Sequence, residues 1–432
     1  MVLIYSSKIT GRIRYIFKLI FFEILGLEIK FTTNVEEFLN FQGAKVSYHN
    51  HALANELFFL SKPLLFENDI KDIELSIFEW EGLKVFFPAR NSSLPFDPFS
   101  ASFYLVSRYE EYLPHIKDIH ERFDAKESVA FQHGFITKPM INIWAQKIKK
   151  LLAHKFPDLI FPEKKYEYIS TIDIDNAYAY KEKGLMRILG AYIRSIFNLD
   201  IKEAIERTKV LFGLLRDPYD TYDYQLLLQH KYNLKTIYFF LLADYGMNDK
   251  NIPVQNRKFQ ALIKSIADYS EVGIHPGFGS NRSVRKLQEE HGRLEMILNR
   301  EVTKSRQHFL KLTLPETYQN LIDLDITDDY TMGYASHVGF RAGICTPFNF
   351  YDLDLDVETK LKIHPFAVMD ATLRFYMKVS AEEAHSYINT LVDEVRAVNG
   401  TFYSLWHNES LSDDKLWKDW KKVYEEMVKY AS

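Results

Sequence analysis

Cysteine, excess positive charge and long apolar runs are all scarce in this 432-residue sequence. The only cysteine, Cys345, excludes an intrachain disulfide and a thiolate zinc cluster, so any metal must be held by histidine and carboxylate. The chain has 54 basic and 58 acidic residues, a net charge of −4, and its lysines and arginines are scattered. Because no basic stripe forms, we expect no nucleic-acid partner.

The N-terminal stretch at residues 14–26 is the most apolar part of the chain. Lys18 and Glu23 interrupt it well short of the length that spans a bilayer, so we expect no transmembrane segment. It also lacks a clean apolar core followed by a small-residue cleavage site, which predicts a cytoplasmic protein. We predict a strand at 2–5 and then a buried amphipathic helix closed by Gly26. Peripheral contact of that helix with a membrane is the minor alternative.

Length and composition predict an ordered protein with two domains. Apolar residues make up 47% and charged residues 26%, which is near the average of globular proteins. Aromatic residues reach 15%, which suits a sugar-stacking cleft but suits a dense core better. Between residues 155 and 166, prolines among charged residues interrupt regular structure. We therefore predict a smaller α+β domain at 1–163 and a second domain at 164–432.

The second domain has the pattern of a β/α architecture, in which strands alternate with helices and form a parallel sheet or barrel. The predicted strands are 168–174, 235–242, 271–275, 305–312, 330–334, 339–342 and 401–406. The predicted helices between them include 257–270, the segment after Asn281, and 382–398, which ends at Asn399-Gly400.

Polar residues follow several of these strands. Asp173 and Asp175 lie at the end of the first strand. Two carboxylates on a buried strand repel each other, so their presence there indicates a metal or a proton relay. The other candidates are His275, His308, Arg341 and His407. Because carboxyl ends of strands in such folds meet at one mouth, we expect a shared site. Two histidines and one aspartate suit a zinc-like ion, and the remaining carboxylate and histidine suit proton transfer.

These motifs, in this order, resemble those of the polysaccharide deacetylases, a carbohydrate esterase family with a distorted (β/α)7 barrel. The resemblance covers roughly residues 165–410 and rests on four segments: 171–175 (Thr-Ile-Asp-Ile-Asp), 273–276 (Gly-Ile-His-Pro), a glycine-flanked arginine loop at 339–343, and 405–407 (Leu-Trp-His). Residues 97–112 further resemble the N-terminal module of bacterial two-domain deacetylase-like proteins. The resemblance implies an N-acetylated sugar or glycan substrate and a divalent metal, with zinc expected.

The resemblance also implies roles for individual residues. Asp173 would be the general base, Arg341 would orient it, and His407 would be the general acid. Asp175 and His275 would bind the metal. The sequence does not determine the oligomeric state or the role of the N-terminal domain.

Two features depart from the family pattern. Ile174 separates carboxylates that are adjacent in the family, and Gly279 stands where a second histidine is expected. We predict that His308 replaces that histidine as the third ligand, and that Asp370 orients His407.

Three functions are compatible with this sequence. The first is a metal-dependent hydrolase that removes N-acetyl groups from a sugar of a cell-surface polysaccharide or its precursor. The second is a catalytically degenerate carbohydrate-binding or assembly protein in polysaccharide biosynthesis. The third is a hydrolase of a non-peptide C–N bond in a small molecule.

Overall fold

The computed structural model describes residues 1–432, and its N-terminal part is an α/β unit. Its strands are β1 (Val2–Tyr5), β2 (Ile29–Thr32), β3 (Ala44–His49), β4 (Leu57–Leu60), β5 (Phe78–Trp80) and β6 (Leu83–Val85). Its helices are α1 (Gly11–Phe17), α2 (Val35–Asn40), α3 (Pro98–Val106), α4 (Val129–Gln132) and α5 (Met140–Lys155). A parallel sheet has the order β2-β1-β3-β4, while β5 and β6 form an antiparallel hairpin.

Helix α1 and the turns that follow it belong to the core. The helix continues through π-helical turns to Ile24, and the chain reverses at Gly26, whose φ of 72° is readily adopted by glycine. The predicted strand at 2–5 and the helix closed by Gly26 are confirmed. Ile13, Ile16 and Ile20 are fully buried in the core. The alternative in which this helix contacts a membrane stays a prediction. No helix of the protein has the length and apolar character needed to cross a bilayer.

The remainder of the chain forms a second, larger α/β unit. Its strands are β7 (Glu167–Ile174), β8 (Lys235–Leu241), β9 (Glu271–His275), β10 (Lys304–Ser305), β11 (Asp328–Asp329), β12 (Phe348–Asp352), β13 (Val357–Ile363), β14 (Val368–Met369) and β15 (Thr401–His407). Its helices are α6 (Leu185–Phe197), α7 (Ile201–Leu211), α8 (Tyr222–Tyr232), α9 (Arg257–Ala267), α10 (Val284–Leu298), α11 (Glu316–Ile322), α12 (Ala381–Arg396) and α13 (Trp420–Ala431).

The strands of this unit form one nine-stranded sheet. Its order is β12-β13-β11-β10-β9-β8-β7-β15-β14, and every pair is parallel except β12 with β13. The predicted α/β class is therefore confirmed. The predicted (β/α)7 barrel is not shown to close, because β12 and β14 are the two ends of the strand order.

Three predicted strands are wrong in extent or kind. The strand predicted at 305–312 ends at Ser305, because Phe309 and Leu310 adopt positive φ values that a strand does not allow. The strand at 330–334 shifts to β11, and 339–342 is a buried loop without strand pairing. These segments are apolar because they are buried, and burial alone does not distinguish a strand from a packed loop.

The two units share one hydrophobic core, which contains buried residues from both. Phe103 of α3 packs edge-on against Tyr351 of β12, with ring centroids 5.1 Å apart. Residues 156–166 contain no helix or strand. The division into domains 1–163 and 164–432 stays a prediction, since packing across it is continuous.

Candidate metal centre

The candidate site lies at the carboxyl ends of the central strands β7, β9 and β15. Strand β7 is rich in isoleucine, a β-branched residue that favours strands, and it pairs with β15 and β8. In this register Asp173 is opposite His407, and His275 is opposite Leu241 at the end of β8. Parallel pairing thus brings residues that are far apart in sequence to one edge of the sheet.

Asp175, His275 and His308 form a compact cluster of metal-ligating side chains. One carboxylate oxygen of Asp175 lies 3.2 Å from Nε2 of His275, and the other lies 3.3 Å from Nε2 of His308. All three ligand atoms lie within 4.8 Å of one another. Ligand atoms about 2.1 Å from one tetrahedral ion are about 3.4 Å apart, so the spacing suits a shared ion.

Hydrogen bonds behind the cluster set the tautomers of its histidines. Nδ1 of His275 donates to the carbonyl oxygen of Arg306 at 2.5 Å, and Nδ1 of His308 donates to Asp249 at 2.8 Å. Both Nε2 atoms face Asp175 and would be free to bind a cation there, and Oδ1 of Asp175 is buried without a hydrogen-bond partner. One carboxylate and two imidazole nitrogens thus face one another, and the residues present fit a divalent cation.

The charges of the cluster also favour a cation. Burial alone would raise the pKa of Asp175, but His308 and His275 hold it well below its ordinary value. Burial alone would lower the pKa of His308, but Asp175 and Asp249 raise it to about 9. The site therefore stabilises positive charge next to an ionised carboxylate. A bound metal ion would supply such a charge.

Asp173 is held beside the cluster by a fully buried arginine, Arg306. Nη1 of Arg306 donates to Oδ1 of Asp173 at 3.0 Å and to the hydroxyl of Thr171 at 2.7 Å. The other oxygen of Asp173 lies 3.7 Å from Nε2 of His275 and faces the cluster. The guanidinium thus fixes the orientation of the carboxylate and offsets its charge.

The predicted contact between Arg341 and Asp173 is wrong. Arg341 donates two hydrogen bonds to Glu111, of 2.8 and 2.6 Å, and both side chains are buried. Its loop faces the N-terminal unit, since the amide of Phe340 donates to the carbonyl oxygen of Ile136. Arg306 takes the expected position instead. The position of Arg306 could have indicated this role, because it directly follows β10, which pairs with the strand that ends in His275.

His407 is held by Asp370 on the other side of the cluster, as predicted from the sequence. Nδ1 and the backbone amide of His407 each lie 2.8 Å from an Asp370 carboxylate oxygen. Nε2 of His407 lies 3.9 Å from Asp175. Burial alone would lower the pKa of His407, but Asp370 raises it well above its ordinary value. The ring therefore retains a proton that it can deliver to the site.

A cavity of about 280 Å³ lies over these residues and carries aromatic side chains on its walls. It adjoins a larger cavity of about 690 Å³, and the two share Phe375, Glu409 and Trp417. The sequence did not predict Glu409, Arg306 or Asp249 as residues of the site. Burial is the main cause that raises the pKa of Glu409 to about 7.

Comparison with known proteins finds similarity in both units. Residues 2–157 match a family described as a family of unknown function, DUF7033. No curated protein sequence matches the chain.

Solved structures match the chain only at low identity and low TM-scores. A candidate polysaccharide deacetylase from Mycobacterium smegmatis is 11% identical over 63% of this chain and 85% of that chain, with a TM-score of 0.39. The Puue allantoinase is 10% identical over 62% and 84%, with a TM-score of 0.40. The polysaccharide deacetylase Bc1974 from Bacillus cereus is 11% identical over 62% and 88%, with a TM-score of 0.27.

Proposed function

We propose that this protein is a metal-dependent hydrolase that removes N-acetyl groups from a sugar of a cell-surface polysaccharide or its precursor. The observation that carries the proposal is the composition of one site. Asp175, His275 and His308 form a three-ligand cluster. On one side of it lies Asp173, which is paired with Arg306, and on the other side lies His407, which is hydrogen-bonded to Asp370. Two imidazoles and one carboxylate suit zinc and leave a coordination position for substrate or water.

The side chains of the site can divide the hydrolysis between them. A divalent cation supplies positive charge that polarises an acyl carbonyl group and favours the deprotonation of water. Asp173 takes a proton from the water whose oxygen bonds to the acyl carbon. His407 donates the proton on Nε2 to the amine nitrogen as the C–N bond breaks. The products are acetate and a sugar with a free amino group.

The space around the site supports a sugar substrate. Phe309, Phe375, Tyr376 and Trp417 line the cavity over the cluster, and aromatic rings are suited to stacking on sugar faces. The adjoining larger cavity leaves room for more than one small molecule, which favours a glycan over the small-molecule alternative.

Metal content and acetate release test the proposal together. We expect stoichiometric zinc or another divalent ion in the purified protein, and acetate release from N-acetylated oligosaccharides. A metal-free protein that binds the oligosaccharide without hydrolysing it would support the carbohydrate-binding alternative. Hydrolysis of a small amide with no activity on any oligosaccharide would support the small-molecule alternative.

Asp249→Asn is expected to weaken zinc binding by about 10–100-fold, because a carboxylate behind a metal-binding histidine orients it and raises its basicity. Zinc titration against a competing chelator measures the change. Asp244→Asn is the matched control, since Asp244 pairs with Arg293 at the surface and is largely exposed. Equal zinc affinity for both variants would exclude His308 as a ligand held by Asp249.

Asp370→Asn is expected to move the alkaline limb of the pH–rate profile to lower pH by about one unit or more. The active form of His407 is protonated, and its raised pKa keeps that form populated until the pH rises through this value. Removing the carboxylate charge lowers the pKa, so activity is lost at lower pH. The pH dependence of kcat/KM measures the effect. An unchanged alkaline limb would show that His407 is not the acid.

A further inference from the structure

Helices α6 and α7 form a hairpin whose outer face is apolar. They are joined by residues 198–200, and large apolar side chains project into solvent along both helices and the turns that follow them. Phe197 and Leu199 are each 83% exposed, Met186 is 81% exposed and Phe212 is 78% exposed. Single exposed apolar residues are ordinary on protein surfaces, but a continuous group of this size indicates a contact surface.

The inner face of the same hairpin is polar. Arg207 is buried and donates to Ser195 at 3.0 Å and to Glu203 at 2.6 Å. The hydroxyls of Tyr192 and Thr208 share a hydrogen bond of 2.7 Å. An amphipathic helix on a water-soluble protein normally turns its apolar side inward. Here the orientation is reversed, so the apolar side needs an apolar environment from outside the chain.

The charges of the hairpin indicate what that environment is. Residues 185–211 contain five basic and three acidic residues, a net charge of +2, whereas the whole chain carries −4. Lys202 and Lys209 are exposed on α7 beside apolar residues. Two copies packed face to face would bring these like charges together. A surface of anionic lipids would instead attract them while it takes up the apolar side chains.

We propose that the outer face of the α6–α7 hairpin docks on an anionic lipid bilayer, with both helices lying in the plane of the interface. Helix α6 has 13 residues and is about 20 Å long, which suits lying in the interface and not spanning it. The inner side of the hairpin lines the 690 Å³ cavity that adjoins the metal centre. Docking therefore holds the approach to the site close to the membrane surface. This inference does not depend on the proposed hydrolysis.

Flotation of the full chain with lipid vesicles tests the docking without any substrate. We expect the protein to float with vesicles of equal parts phosphatidylcholine and phosphatidylglycerol, and to bind pure phosphatidylcholine vesicles at least about tenfold more weakly. Rising salt should weaken binding to the anionic vesicles. Absence of binding to the anionic vesicles would overturn the proposal.

Paired variants identify the surface. Ile196→Asn with Phe197→Asn is expected to weaken binding to anionic vesicles on the order of tenfold or more, because the variant no longer transfers two apolar side chains from water into the lipid. Ile160→Asn with Met296→Asn is the matched control: both residues are highly exposed and lie outside the hairpin. Lys202→Gln with Lys209→Gln should lower binding to anionic vesicles only. Far-UV circular dichroism verifies that each variant keeps its fold.

Two results would overturn the assignment of this surface. One is equal loss of vesicle binding in the hairpin pair and in the control pair. The other is a dimer in sedimentation equilibrium, without lipid, that the hairpin pair abolishes, because a second copy would then cover the face.

Discussion

His275→Ala is expected to abolish stoichiometric metal binding and to lower kcat/KM for deacetylation on the order of 10³-fold or more, since metal assistance contributes several kcal/mol to the transition state. His275 is buried at the end of β9, and its Nε2 lies 3.2 Å from a carboxylate oxygen of Asp175. Asp175 and His308 alone leave a two-ligand site. Metal analysis after dialysis and acetate release measure the two effects.

A matched histidine separates this effect from a general loss of structure. His291 is also buried, but its Nε2 lies 2.7 Å from the carbonyl oxygen of Val302 and it is not part of the cluster. We expect His291→Ala to keep its metal and its activity per folded molecule. We also expect zinc to raise the Tm of the wild type and of His291→Ala, but not that of His275→Ala. Wild-type zinc affinity in His275→Ala would contradict the metal assignment.

Arg341→Ala is expected to lower the free energy of unfolding by about 3–5 kcal/mol, because it removes one partner of a buried ion pair. Glu111 would keep its charge in the core with only Arg108 beside it. Burial alone would raise the pKa of Glu111, yet Arg341 and Arg108 lower it to about 2. Urea denaturation at neutral pH, with the slope compared between variants, measures the loss.

The low pKa of Glu111 also predicts how the free energy of unfolding changes with pH. A depressed carboxyl pKa contributes stability that is present above the ordinary value of 4.5 and is lost as pH falls towards 2. The wild type should therefore lose more stability across this range than Arg341→Ala does. Glu111→Gln with Arg341→Met should recover part of the loss, because no unpaired charge remains. If Arg341→Ala stays stable but binds metal without turnover, Arg341 acts on the site and not on the core.

Local sequence pattern predicted the central strands well. The predicted bounds of strands β7, β9 and β15 agree with the structure to within one residue. Strands β10 and β11 have only two residues each, too few to show a period of two, so their extents were missed. The hairpin of β12 and β13 was missed as well, although turn residues separate its strands.

The sequence by itself determined the chemistry available to this protein: a single thiol, and carboxylates and imidazoles that follow predicted strands. Only the tertiary structure decided that Arg306 and not Arg341 meets Asp173, because the two partners are 133 residues apart and each arginine is equally able to bind a carboxylate. It also decided which side of α6 faces water. Periodicity describes one element at a time, whereas the partners of an element are set by how distant elements pack.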